Sequence, residues 1–163
     1  MKKLLPVLLL FLAFFLFMGC SKSIVFDEKV EFPNTNWAFE NKTVTFKAPL
    51  RGSEKPYAVV LELELLGTPS VDSFSATFRI VTPKGGETVK SIPFNLISPQ
   101  EPYIQGDSPN KKIYRFTVYP QRYFSETGDY LFEITQFSNK ADNYGISALR
   151  MYIKKVQEHK SDN

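Results

Sequence analysis

Apolar and polar side chains alternate along most of this chain, and this period of two constrains the fold more than any other feature. Successive side chains of a β-strand point to opposite faces of a sheet, so an alternating segment buries one face and exposes the other. The odd-numbered residues from Val59 to Leu65 are apolar, whereas Glu62 and Glu64 lie between them. We therefore predict a half-buried strand here, with both glutamates facing solvent.

The same alternation recurs in short segments separated by residues that favour turns. Aromatic residues make up 15% of the sequence, which favours pleated strands over helices. Pro83-Lys84-Gly85-Gly86 stands between two alternating segments and predicts a tight hairpin, because glycine enters positive-φ conformations without steric cost. The predicted strands cover residues 25–32, 43–48, 57–66, 73–81, 87–96, 112–119, 130–137 and 149–155.

About eight short strands of this kind predict an all-β fold, an antiparallel β-sandwich built from two sheets. A jelly-roll arrangement is our preferred topology, and an immunoglobulin-like sandwich is the alternative. A closed barrel also stays open, because alternation does not distinguish a closed sheet from two packed sheets. The long Pro-rich segment 99–109 is predicted to be a loop.

The amino-terminal segment has the layout of a secretory leader. Two lysines precede an apolar run from Leu4 to Phe17, which at 14 residues is shorter than the roughly 20 that a membrane-spanning helix needs. The chain's single cysteine, Cys20, directly follows Gly19, and this order is similar to a bacterial lipobox, with Phe17 and Met18 bulkier than usual. We therefore expect cleavage before Cys20 and its acylation, for example with palmitate, by two or more fatty chains.

These features divide the chain into a leader, a tether, one domain and a tail. Residues 1–19 form the signal peptide, 20–24 the lipidated tether, 25–156 the sandwich and 157–163 a polar tail. Without Lys2 and Lys3 the 20 basic residues become 18 against 17 acidic ones, a formal charge of +1. A nearly neutral domain without a basic cluster does not favour nucleic-acid binding.

Catalytic and metal chemistry find little support in the sequence. The single histidine, His159, lies in the polar tail, so a catalytic triad lacks its usual base. Asp107 and Asp142 could contribute to a calcium site, but no loop matches an EF-hand. The distance expected between the carboxyl groups of Glu62 and Glu64 lies in the range found in inverting glycosidases. Alternating glutamates are, however, expected on any half-exposed strand. We predict no enzyme activity, no cofactor and no metal.

Two aromatic residues are candidates for a binding surface. Trp37 is the only tryptophan and follows the first predicted strand, whereas Tyr103 lies in the Pro-rich loop. Exposed aromatic rings at the rim of a sandwich could stack on a glycan or on a partner protein. The alternative for Trp37 is that it fills one end of the core.

Three stretches of the sequence combine strand patterns with characteristic turn residues. They are 26–46, with Pro33 and Trp37; 56–85, with Pro83 and Gly85; and 128–153, with Gly128-Asp129-Tyr130 and Gly145-Ile146. Together these stretches resemble the GldH family of gliding-motility lipoproteins from Bacteroidetes. The resemblance spans most of the domain and departs at 98–112, where the family usually has a Trp- and Gly-rich segment.

The resemblance implies a non-catalytic scaffold or interaction module of the gliding and secretion machinery of the cell envelope. It implies other envelope proteins as partners and no catalytic residues. Ser21 follows the cysteine where an Asp would signal inner-membrane retention in enteric bacteria, so we expect the periplasmic face of the outer membrane. The alternative function is a carbohydrate-binding envelope lipoprotein that uses Trp37 and Tyr103.

Overall fold

The computed structural model describes residues 23–96 and 103–156, and these form two antiparallel sheets packed face to face. The nine strands are β1 (Ile24–Glu31), β2 (Thr43–Leu50), β3 (Tyr57–Leu66), β4 (Ser73–Val81), β5 (Glu87–Asn95), β6 (Tyr103–Gln105), β7 (Lys111–Arg122), β8 (Gly128–Phe137) and β9 (Ile146–Lys155). Two single-turn 3₁₀ helices, Pro33–Thr35 and Phe39–Asn41, join β1 to β2.

The strand order identifies the sandwich as a jelly roll. The five-stranded sheet has the order β1-β9-β3-β7-β6, and the four-stranded sheet has the order β2-β8-β4-β5. Apart from the short edge strand β6, each sheet holds four strands, and the chain passes between the sheets as two interleaved Greek keys do. This confirms the predicted all-β sandwich and its jelly-roll form over the immunoglobulin-like alternative.

The core lies between the two sheets and follows the alternation in the sequence. Leu61 and Leu63 of β3 face Phe78, Phe132 and other apolar residues of the opposite sheet, and all four are fully buried. Burying such side chains contributes about 1.5 to 3 kcal/mol each. Aromatic rings fill the centre, as in the contact of Phe78 with Phe132, whose ring centroids lie 5.9 Å apart.

All eight predicted strands are present, and their bounds differ from the predicted ones by three residues at most. Strand β9 begins at Ile146, directly after Gly145, and β7 continues through Pro120 to Arg122 by means of irregular pairing with β3. Strand β6 lies in the segment predicted to be a loop. Its three residues pair with β7 and are all exposed, so the sequence carries no alternation there to reveal it.

The predicted hairpin at Pro83-Lys84-Gly85-Gly86 joins β4 to β5. Gly85 has a φ of 86°, and its amide donates to the Thr82 carbonyl at 2.9 Å. The Thr82 amide donates in turn to the Gly86 carbonyl at 2.8 Å. The left-handed conformation at Gly85 is the one that glycine adopts at least cost.

The loops meet at two opposite poles of the sandwich. The β1 start, the β9 end and the loops 51–56, 82–86 and 123–127 lie together, and we call this end the tether pole. Contacts between the loops define it: the Ser53 amide donates to Phe124, and the Lys84 amide donates to the Glu126 carboxylate. The loops 32–42, 67–72, 106–110 and 138–145 form the opposite pole.

Candidate functional site

Strand β3 carries two buried glutamates on the outer face of the five-stranded sheet. Glu62 is 4% exposed and Glu64 is 8% exposed, so the prediction that both side chains face solvent is wrong. The reason is the position of β3, which lies between β9 and β7. Long cationic side chains from these neighbouring strands reach the carboxylates of β3, and the aliphatic stems of such side chains are able to cover a surface.

Glu62 binds two arginines, one from each neighbouring strand. Its Oε1 accepts from Arg115 Nε at 2.8 Å and from Arg115 Nη2 at 2.6 Å. Its Oε2 accepts from Arg150 Nη1 at 2.9 Å. Arg150 also donates to both oxygens of Asp27 at 2.7 and 2.6 Å. The order Arg115, Glu62, Arg150, Asp27 therefore links β7, β3, β9 and β1 across the sheet.

Glu64 forms a second set of ion pairs toward the opposite pole. Lys111 Nζ lies 2.9 Å from Glu64 Oε2, and Lys29 Nζ lies 3.8 Å from Glu64 Oε1. Lys111 also lies 3.5 Å from Asp107, and Lys29 lies 3.0 Å from Glu31. A recess of about 360 Å³ opens beside these groups and is lined by both charged and small polar side chains.

The ion pairs shift the protonation of the groups that hold them. The Arg150 guanidinium donates to the Asp27 carboxylate and lowers the pKa of Asp27. The Glu64 carboxylate accepts a hydrogen bond from the Lys111 ammonium group and raises the pKa of that lysine. Burial raises the pKa of Tyr152, whose ring lies 5.4 Å from the Arg150 guanidinium. All these shifts favour the charged pairs and the neutral phenol at neutral pH.

The geometry suits Glu62 and Glu64 to a structural role more than to acid–base catalysis. Both oxygens of Glu62 accept from guanidinium groups, and both oxygens of Glu64 lie near lysine ammonium groups. The network instead joins four strands and presents mixed charge at the surface.

Exposed apolar side chains lie beside this network. Leu66 follows Glu64 on the outer row of β3 and is 43% exposed, and Ile104 of the edge strand β6 is 41% exposed. Ile104 pairs with Ile113, the residue that pairs with Glu64 on the other side. We call Leu66, Ile104 and the recess beside Glu64 the candidate interaction face. A charged rim around a small apolar centre is typical of protein-binding surfaces.

Arg115, Arg150 and Lys111 are the residues of this site that sequence reasoning missed. Arg150 interrupts a strand whose neighbours Leu149 and Met151 are fully buried. An arginine that stands on the outer row of such a strand signals a carboxylate partner on an adjacent strand. The signal does not identify that partner, because strand order is not visible in the sequence.

Trp37 lies in the core, so the prediction that it belongs to an exposed binding surface is wrong and the alternative, that it fills one end of the core, is confirmed. The indole is 0% exposed, stacks on Phe32 with ring centroids 5.0 Å apart and meets Phe74 edge to face at 5.8 Å. Its carbonyl accepts from the side chain of Asn143 at 2.8 Å. Trp37 therefore closes the core at the opposite pole, because the loops 32–42 and 138–145 fold over it.

Tyr103 is 48% exposed and lies on β6. Its ring contacts Tyr114, with centroids 6.0 Å apart, and Lys112 Nζ lies 4.9 Å from the ring centroid. Tyr103 alternates with Ile104, so it faces away from the outer face of the five-stranded sheet. The structure thus places Trp37 and Tyr103 in different environments, one buried and one accessible.

The side chains of the two aspartates considered for calcium have different partners. Asp107 is near Lys111, and Asp142 accepts from the Asn36 amide nitrogen at 2.7 Å. Among the described residues, no group of three His, Cys, Asp or Glu side chains has the arrangement of a metal site.

The remaining predicted features lie outside the described residues. Cys20, the leader and residues 21 and 22 precede them, and His159 and the tail 157–163 follow them. Within residues 23–96 and 103–156, no helix has the length and apolar character needed to cross a membrane.

Comparisons with known proteins do not assign the chain to a family. No protein-family model and no curated protein sequence matches the chain. A solved structure described as Eiger TNF from S. frugiperda is 12% identical, with 88% of this chain and 92% of that chain covered and a TM-score of 0.36.

Proposed function

We propose that this protein is a lipid-anchored, non-catalytic interaction module of the bacterial cell envelope that resembles the GldH lipoproteins of the gliding and secretion machinery. The observation that carries the proposal is the order of the first residues, in which two lysines and an apolar run lead to Gly19-Cys20. Cys20 stands three residues before the first described residue, Ser23. The proposed location is the periplasmic face of the outer membrane.

Tethering supports a scaffold role because it raises the effective concentration of partners held at the same membrane. The candidate interaction face is the proposed contact with another envelope protein. Its support is the exposure of Leu66 and Ile104 beside an ion-paired, and therefore rigid, charged surface. Preorganised surfaces lose less conformational entropy on binding.

The anchor is tested by Cys20→Ser. We expect unprocessed precursor and no incorporation of radioactive palmitate, with the wild type as the labelled control. Labelling of the variant would refute the lipidation.

The interaction face is tested by cross-linking in the native envelope followed by mass spectrometry. We expect Leu66→Asp with Ile104→Asp to lose a gliding or secretion protein that the wild type captures. The matched control is Val89→Asp, which alters an exposed apolar residue, 60% accessible, on the four-stranded sheet. Equal capture by all three proteins would argue against this face.

The carbohydrate-binding alternative now depends on Tyr103, because Trp37 is buried. A glycan array separates the two functions. Sugar binding at millimolar affinity or better that disappears in Tyr103→Ala would favour the alternative.

A further inference from the structure

The tether pole carries most of the cationic side chains that have no carboxylate partner. Elsewhere in the described domain, four basic residues form no ion pair with a described carboxylate, namely Lys42, Lys90, Lys112 and Lys140. Six others are ion-paired: Lys29, Lys47, Arg79, Lys111, Arg115 and Arg150. At the tether pole, six more form no ion pair with any described carboxylate. These are Arg51, Lys55, Lys84, Arg122, Lys154 and Lys155.

Acidic residues at the same pole do not balance this charge. Glu54 and Glu126 are the acidic residues of its loops, and Glu126 accepts from a backbone amide. Glu87 and Asp129, at nearby strand starts, pair with Arg79 and Lys47 of the four-stranded sheet.

The described part of the opposite pole has the reverse balance when its strand ends are counted in the same way. Its acidic residues are Glu31, Glu40, Asp72, Asp107 and Asp142, and its basic residues are Lys42, Lys111, Lys112 and Lys140. Five acidic against four basic residues give a formal charge of −1, whereas six basic against four acidic residues give +2 at the tether pole, so the charge is polarised along the strands.

Exposed apolar and aromatic side chains accompany the cations at the tether pole. Ile24 and Val25 are 39% and 38% exposed at the start of β1, and Tyr123 is 60% exposed after β7. A recess of about 490 Å³ lies beside them, lined by Ser23, Ala58, Thr117, Pro120, Lys154 and Lys155. Basic residues together with tyrosine and aliphatic side chains are typical of surfaces that rest in the headgroup region of a bilayer.

The length of the tether brings this pole, and not the other, to the membrane. From Cys20 to Ile24 the chain advances four residues, which span at most about 14 Å when fully extended. At physiological salt the field of an anionic membrane decays over about 8 Å, so the basic residues of this pole can enter it.

We infer that the tether pole of the acylated protein docks on an anionic phospholipid surface through Lys84, Lys154, Lys155 and neighbouring basic residues. This docking directs the opposite pole away from the bilayer and turns the candidate interaction face sideways. The inference rests on the proposed lipid anchor.

The test is the orientation of the acylated full-length mature protein in vesicles. Because the acylated Cys20 has no free thiol, a single fluorophore can be attached at Ser125→Cys on the tether pole or at Asn139→Cys on the opposite pole. Both positions are exposed. Vesicles of phosphatidylcholine with or without phosphatidylglycerol carry a nitroxide quencher on the headgroups.

On anionic vesicles we expect strong quenching at Ser125→Cys and little at Asn139→Cys. Lys84→Glu with Lys155→Glu should remove this contrast, whereas the charge-matched control Lys42→Glu with Lys140→Glu should keep it. Raising the salt from about 0.1 M to about 1 M shortens the screening length from about 10 Å to about 3 Å and should weaken the contrast.

Two outcomes overturn the docking alone. These are equal quenching at both positions, and a contrast that persists in neutral vesicles and in the Lys84→Glu, Lys155→Glu variant. Intact mass of the purified protein separates this failure from failure of the anchor. A mass without acyl chains removes both proposals, whereas an acylated protein without preferred orientation removes only the docking.

Discussion

Arg150 of β9 bridges Glu62 of β3 and Asp27 of β1, donating to Glu62 at 2.9 Å and to Asp27 at 2.6 and 2.7 Å. One guanidinium thus joins three adjacent strands on the outer face of the five-stranded sheet. The planar fork of arginine makes this possible, because it presents several donors in fixed directions.

Removing the carboxylate at the centre of this network should destabilise the fold. Glu62→Gln leaves two guanidinium groups without their buried counterion, and breaking a buried pair costs about 3 to 5 kcal/mol. Because Arg115 and Arg150 are 49% and 35% exposed, we expect a smaller loss, about 2 kcal/mol. Urea denaturation measures it. The control Asp129→Asn, in an exposed pair with Lys47, should cost about 0 to 1 kcal/mol. Equal midpoints for both variants would contradict the structural role of Glu62.

Trp37 should determine the stability of the core at the opposite pole. Truncating a buried aromatic residue to alanine costs about 3 to 5 kcal/mol, so Trp37→Ala should lower the denaturation midpoint sharply. Trp37→Phe should cost less, and Tyr103→Ala should stay within about 0.5 kcal/mol. As the single tryptophan, Trp37 also reports unfolding directly. Its emission should be blue-shifted in the native protein, and a native emission like that of free tryptophan would contradict its burial.

The stability of the domain should fall in acid partly through Asp27. Its pKa is lowered in the folded state by Arg150, so the stabilisation is present above the unfolded pKa near 4 and is lost as the pH falls through the lower folded pKa. Asp27→Asn should therefore reduce stability at pH 7 and make its decline below pH 4 shallower. Denaturation midpoints between about pH 2 and pH 7 measure this effect. Parallel curves for variant and wild type would show that the pair contributes nothing.

At alkaline pH, Lys111 and Tyr152 should make the stability of the domain fall as the pH rises. Both have a raised pKa in the folded state, Lys111 through Glu64 and Tyr152 through burial. Their contribution is complete below the unfolded values near 10 and is lost as the pH rises through the folded values. Tyr152→Phe should keep the neutral-pH stability and lessen the alkaline loss. A variant that declines as steeply as the wild type above pH 10 would exclude Tyr152 as a cause.

Substitutions at Gly145 and Gly85 can be compared directly, because both residues have a φ of 86°. A Cβ at Gly145 would lie 2.7 Å from Pro69 Cα and 2.8 Å from the Thr68 carbonyl oxygen, whereas a Cβ at Gly85 meets nothing within 4 Å. Alanine at either position costs about 1 to 2 kcal/mol for its conformation. Gly145→Ala should cost about 1 to 3 kcal/mol more through overpacking. Thermal denaturation of the two variants tests this order, and equal losses would contradict it.

Much of the fold could be predicted because its signals are local. The alternation of apolar and polar residues predicted the positions of β3 and β4, and the glycines around Gly85 predicted the hairpin that follows β4. Each of these signals depends on adjacent residues alone. The alternation also placed the inward rows of β3 correctly. Strand β6 was missed because its three exposed residues carry no periodic pattern.

The candidate site could not be predicted in the same way, because it depends on strand order. Whether Glu62 is exposed depends on Arg115 and Arg150, which are 53 and 88 residues away in the chain. A half-exposed strand and a central strand covered by its neighbours have the same alternating sequence. The burial of Trp37 could not be predicted for the same reason, because it requires loop 138–145, which lies about 100 residues further along the chain.

The sequence by itself determined eight of the nine strands and the turns between them, because each depends on neighbouring residues, and it predicts a leader that is cleaved before Cys20. The tertiary structure alone decided that the strands form two packed sheets, which strands are adjacent, that the glutamates of β3 are buried and paired, and that most of the described cations without an ion pair lie at one pole. Those properties arise only when distant segments of the chain come together, since burial and electrostatic interaction depend on distance in space and not along the chain.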